Sequence, residues 1–138
     1  MKRQLLAIPV ALAFVALLVF SPAFINTTVN EAADVKDVSH KGKLKGADIA
    51  HNAVGNVKVI NNESTLRLLQ FSTTNGPDLR VYLSTDDRAS EFVNLGNLKA
   101  NNGNQSYSIP EGTDLDKYDT VLIWCELADV AFGTAKLG

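Results

Sequence analysis

The chain has 138 residues, 46% of them hydrophobic, with 13 basic and 15 acidic side chains and a net charge of −2. That is one modest domain, without the basic stripe that nucleic-acid phosphates require. A single cysteine excludes an internal disulfide, a CxxC redox pair, a c-type haem attachment and a multi-cysteine zinc knuckle.

Residues 1–4 carry Lys2 and Arg3, and residues 5–20 are an uncharged apolar run that continues more weakly to Ile25. This order is that of an export leader. Ser21-Pro22-Ala23 offers small residues for cleavage after Ala23. Left uncleaved, residues 5–25 make a helix of about 32 Å, which spans the ~30 Å hydrocarbon core. Residues 1–25 are therefore read as a signal peptide or a membrane anchor. Both readings put the rest of the chain outside the cytoplasm, secreted or held at the cell surface, because Lys2 and Arg3 stay inside.

Residues 26–41 are polar, with mixed charge and no periodicity, and read as a linker. Asn26-Thr27-Thr28, Asn62-Glu63-Ser64 and Asn104-Gln105-Ser106 are glycosylation sequons. From Gly42 the pattern becomes β: short runs of β-branched and aromatic residues broken by Gly, Asn and Pro. Strands are predicted over 44–51, 54–60 and 65–71. In the third, Leu66, Leu68 and Gln70 share one face and Arg67, Leu69 and Phe71 the other. Asn75-Gly76-Pro77-Asp78 is a turn, with Gly76 free to take a positive φ. A strand over 79–84 turns Leu79, Val81 and Leu83 inward and Arg80, Tyr82 and Ser84 outward.

Residues 92–95 and 97–100 are two short strands, or one kinked at Gly96. Asn101-Asn102-Gly103 signals a hairpin into a strand over 105–109. Residues 110–118 hold at most one helical turn, capped by Thr113 or Asp114. The strand over 119–125 is apolar on both faces and so is buried on both sides. A last strand covers 130–137, with Gly133 a bulge or close-approach point. About nine short strands at this spacing predict an all-β, antiparallel sandwich or barrel over residues 42–138.

Residues 119–133 hold the only tryptophan, Trp124, beside the only cysteine, Cys125. A thiolate is a nucleophile or a soft metal ligand, and positive charge lowers its pKa. No Lys, Arg or His lies within five residues of Cys125, and Glu126 and Asp129 oppose ionisation. The local sequence therefore also reads as a neutral core thiol. His51 can complete a Cys–His pair or ligate iron axially if the strands bring it close; otherwise it is an ordinary surface histidine, as His40 is in the linker. Trp124 should face away from Cys125. It anchors a core or stacks on a planar cofactor, and Tyr82 and Tyr107 carry the same two readings. Asp114, Asp116 and Asp119 lack EF-hand spacing. No G-x-S-x-G element supports a hydrolase triad.

Five ordered stretches carry a family resemblance. They are His51 with Val54-Gly55-Asn56-Val57, Gly76-Pro77-Asp78-Leu79-Arg80-Val81-Tyr82-Leu83-Ser84, Leu95-Gly96-Asn97-Leu98-Lys99, Asn104-Gln105-Ser106-Tyr107-Ser108-Ile109-Pro110, and Val121-Leu122-Ile123-Trp124-Cys125 with Val130-Ala131-Phe132-Gly133-Thr134-Ala135. Together these make the chain resemble the DM-thirteen (DM13) domain family over residues 42–137. One departure is Leu127-Ala128, where the family often has an aromatic. The resemblance implies a β-rich, extracytoplasmic electron-transfer module, with partners such as a membrane cytochrome or another redox protein. It implies a redox role for Cys125, as a bare thiol or as a ligand to haem or another metal, with His51, Trp124 and Tyr107 as the candidate neighbours. The competing reading is a non-catalytic surface module that binds a protein or glycan and in which Cys125 is structural.

Overall fold

A computed structural model describes residues 27–32 and 37–138. The leader or anchor expected over 1–25 lies outside them. Among the described residues no helix is long and apolar enough to cross a membrane. The domain is all β, with eight strands where about nine were expected. They are β1 (His40–Gly46), β2 (Ala53–Ile60), β3 (Thr65–Thr73), β4 (Leu79–Ser84), β5 (Phe92–Asn97), β6 (Gln105–Ser108), β7 (Thr120–Cys125) and β8 (Val130–Lys136).

Every ladder is antiparallel, in the order β5-β4-β7-β8-β1-β2-β3-β6. Strand β1 belongs to two sheets. Residues His40 to Leu44 pair with β2, and Lys45 and Gly46 pair with β8. The sheet curls until its edges, β5 and β6, come beside each other without a ladder. The result is a nearly closed barrel, which leaves little open edge for other strands to pair with.

The register explains what periodicity alone misassigned. The first strand begins at His40, not 44, and 47–51 is turn. Its sequence, HKGKLKG, buries only Leu44 and turns its lysines outward. Gly42 is required there, because a Cβ would collide with the Lys136 carbonyl of β8. In β3 the ladder to β2 slips between Val54 and Asn56, with Gly55 at φ 140° and Gln70 at φ 53°. The bulge reverses the last residues, so Phe71, not Gln70, joins the core. Residues 92–97 form one strand, bulged at Leu95 beside Gly96 at φ 120°.

The segment around Asn101-Asn102-Gly103 makes no hairpin, since β6 pairs with β3 and not with β5. Its backbone instead bonds the end of β3: Thr73 N donates to Asn101 O at 3.0 Å and Gly103 N to Phe71 O at 2.9 Å. The expected capped turn is present: Tyr118 N donates to Asp114 O at 2.8 Å and Asp116 N to the Asp114 carboxylate at 3.0 Å.

Residues 27–31, within the stretch read as linker, lie along the barrel. Thr28 bridges to Asn102 in parallel, and Glu31 N donates to Asn104 O at 2.8 Å. Glu31 also accepts from Ser106 N at 2.8 Å and from Lys99 Nζ at 3.0 Å. Beneath this strap Arg67, 2% exposed, donates to Ser106 Oγ at 2.8 Å and to the Glu31 carbonyl.

The interior is one apolar cluster built from the inward faces of both sheets, including Val57, Leu66, Leu68, Val81, Leu83, Val121, Ile123, Cys125 and Phe132. Strand β7 is buried along its whole length, as its doubly apolar pattern requires. Its outward residues, Leu122 and Trp124, form a second small cluster with Tyr82.

Candidate functional site

Cys125 ends β7. Its Cα partners in the ladders are Leu79 of β4 and Val130 of β8. Period-two alternation places its side chain inward with Val121 and Ile123, and it is 0% exposed. No hydrogen bond reaches Sγ among the described residues, so an apolar wall surrounds the sulfur.

That wall is closed at one end of the barrel, where β1, β3, β5 and β7 stop and β2, β4, β6 and β8 start. The 74–78 loop caps it. A Cβ on Gly76 would lie 2.8 Å from Phe132 Cζ and 2.9 Å from Leu79 Cδ2. Gly76 is therefore needed for close packing rather than for the positive φ expected of it. Glu126 N donates to Asp78 O at 2.9 Å, and Thr74 N to Asn52 O at 3.2 Å, which ties the cap to the loops on either side. Gly133 fills its expected role. A Cβ there would lie 2.5 Å from the Ala53 carbonyl oxygen, and the β7–β8 ladder bulges beside it.

His51 lies at this same end, in the β1–β2 loop. Its ring stands edge-on to Phe132, with centroids 4.8 Å apart. Its Nδ1 lies 2.9 Å from Asp48 Oδ1, and this hydrogen bond holds the Asp48 carboxyl below the usual range. The fold thus brings His51 and Cys125 to one end but joins them through no hydrogen bond.

Trp124 faces away from Cys125, as predicted. It is 7% exposed and sits on the outer face, so it does not wall the thiol. It stacks with Tyr82 at 6.2 Å, and Tyr82 stacks on Phe92 at 4.1 Å with planes 5° apart. The Tyr82 phenol donates to Glu126 Oε2 at 2.7 Å; burial first, then this carboxylate, pushes its pKa up. Arg80 lies 2.9 Å from Asp78 and 3.4 Å from Glu126. This outer network was missed in the sequence. Its signal was the shared face of Asp78, Arg80 and Tyr82 at period two, opposite Trp124.

Tyr107 is buried in the main core. Its hydroxyl donates to Gln105 Oε1 at 2.5 Å and accepts from Lys99 N at 2.8 Å. Desolvation pushes its pKa up to about 12. The hydroxyl is committed to holding the β5–β6 connection.

Cys125 is fully buried and no His, Asp or Glu side chain bonds its sulfur, so no ligand set is assembled there among the described residues. Among the described residues no group of three His, Cys, Asp or Glu is placed to hold an ion. Asp114, Asp116 and Asp119 accordingly form no such group. Cys125 lines none of the described clefts. The largest, about 620 Å³, lies on the outer face of β1 to β3 between Lys41, Lys43 and Lys58, with the Asn56, Gln70 and Asn104 amides.

No curated protein and no solved structure matches the chain. The family model described as Electron transfer DM13 matches residues 44–137, which run from the last inward residue of β1 through β8 and include Cys125 and the cap above it. The chain belongs to this family.

Proposed function

We propose that this chain is an extracytoplasmic electron-transfer module in which Cys125 is the redox residue. Family membership over nearly the whole domain supports it, and the observation that carries it is the position of Cys125. The only sulfur nucleophile of the domain ends β7 at one end of the barrel, paired with Leu79, on which the 74–78 loop packs. As a bare thiol it gives one electron to a one-electron acceptor on a membrane cytochrome or other redox protein. Its proton passes to water, and reduction returns both. The 74–78 cap has to open for this exchange. The test is absorbance and metal analysis of the full chain purified from its native host, together with the oxidation state of its sulfur by mass spectrometry. A Cys125-dependent oxidised form, lost in Cys125→Ser, is expected. A sulfur that stays a free thiol throughout, with no bound group, refutes the reading.

The second reading, a non-catalytic surface module with a structural cysteine, has a specific observation in its favour. Lys41 and Lys58 are direct cross-strand partners in the 620 Å³ cleft, a like-charge pairing that costs stability unless an anion sits between them. On this reading the cleft binds an acidic partner, and Cys125 reacts with thiol reagents only after unfolding.

A further inference from the structure

The capped end of the barrel has a second peculiarity. Two neighbouring loops project from it, 47–52 and 126–129, on strands β1 and β8 that pair with each other. Each carries an aliphatic residue followed by alanine at its tip: Ile49-Ala50 and Leu127-Ala128. Ile49 is 96% exposed and Leu127 75%, the two most exposed large hydrophobic residues among the described residues. Tips of this kind normally carry Gly, Asn, Asp or Ser, which suit water and tight turns. Both loops are well fixed. The Asp48 carboxylate accepts from Ala50 N at 2.9 Å and His51 N at 2.8 Å, and Cys125 pairs directly with Val130 across the other.

Thr27 is locked to this same end. Asn102 N donates to Thr27 O and Asn101 N to Thr27 Oγ1, both at 2.9 Å, and Asn101 also bonds Asn75 of the cap. From Thr27 the strap runs beside Asn102 to Asn104, away from the capped end, so Thr27 is its membrane-proximal residue if the chain before it is an anchor. The apolar run stops at Ile25. Two residues span at most about 7 Å, which is about the depth of one headgroup layer.

We propose that the capped end of the barrel rests on the lipid bilayer, with Ile49 and Leu127 seated among the headgroups and acyl chains. This rests on the anchor reading of residues 5–25. Asp48, Asp78, Glu126 and Asp129 belong to this end, against Lys45, Arg80 and Lys99. The surface it suits is therefore zwitterionic, and anionic lipid repels it. Cys125 then lies on the membrane side of the domain, within reach of a membrane-embedded electron acceptor.

The test uses the full chain in phosphatidylcholine vesicles, with an environment-sensitive fluorophore on Ile49→Cys, Leu127→Cys or, at the opposite end, Glu111→Cys. The unsubstituted chain corrects for any label on the buried Cys125. Labels at 49 and 127 should emit to the blue of the label at 111 and be quenched by nitroxide carried on shallow lipid positions. Adding phosphatidylglycerol should weaken both effects. The mass of the vesicle-bound chain is read in parallel. An intact anchor with labels at 49 and 127 as wet as that at 111 overturns the docking alone. A chain cleaved after Ala23 that leaves the vesicles overturns the anchor reading and the docking with it.

Discussion

Replacing Cys125 by serine and by alanine separates an apolar enclosure from a polar site. Serine nearly keeps the volume of the thiol, while alanine removes the sulfur outright. If packing alone mattered, serine would be the milder change. Cys125 lies in the main core beside Ile123 and its cross-strand partners Leu79 and Val130, with full burial and no hydrogen bond. A serine hydroxyl there has no partner, and such a group costs about 1–3 kcal/mol in addition to the lost transfer of sulfur. We expect Cys125→Ser to cost about 2–4 kcal/mol and Cys125→Ala about 1–2 kcal/mol. Against a total of ~5–15 kcal/mol for a domain, the serine variant loses roughly 10–20 °C in Tm. Urea denaturation gives the comparison directly, read as a change in midpoint at constant m. A serine variant as stable as the alanine variant, or more so, would mean that polar groups line the site, and the argument for an apolar enclosure would fail.

Other consequences are as concrete. Gly76→Ala drives a methyl against Phe132 and Leu79 and should cost about 1–3 kcal/mol. It should also speed the reaction of Cys125 with a thiol reagent in the native state, whereas unchanged reactivity would show that the 74–78 loop is not the cap. Tyr107→Phe takes one of two donors from Gln105 Oε1, which keeps Ala100 N, and the acceptor from Lys99 N, at about 1–2 kcal/mol by thermal unfolding. The hydrogen bond from Lys99, then that from Ser106 N, holds the Glu31 carboxyl below its ordinary value of 4.5. A carboxyl lowered by folding adds stability above its unfolded pKa and loses it as pH falls through the folded one. Stability measured from pH 6 to pH 3 should therefore fall less steeply in Glu31→Gln than in the unsubstituted chain. Parallel curves would detach the strap from the acid response.

The two-period pattern made β4 and β7 readable because Leu79, Val81 and Leu83, and Val121, Ile123 and Cys125, each line one face of an unbroken strand. Where a bulge intervenes, alternation fails. Phe71 and Gln70 trade faces across the slip at Gly55, which only the partner strand reveals. Strand β1 starts four residues before its sequence pattern does, because it has one buried apolar residue and is defined by its two neighbours. The 27–31 strap was invisible for a similar reason, being held by main-chain bonds and Glu31 rather than by an apolar face. At the candidate site, the burial of Cys125 and the opposite facing of Trp124 followed from strand geometry. That His51 meets Phe132 and Asp48 rather than the sulfur depends on loop packing between distant strands, which no local pattern encodes.

The most direct test of the account is protein-film voltammetry of the full chain from its native host beside Cys125→Ser. A reversible wave present in the first and absent from the folded second is the result expected for an electron-transfer module centred on this sulfur. A wave of equal size and potential in both, or no wave in either, would contradict it.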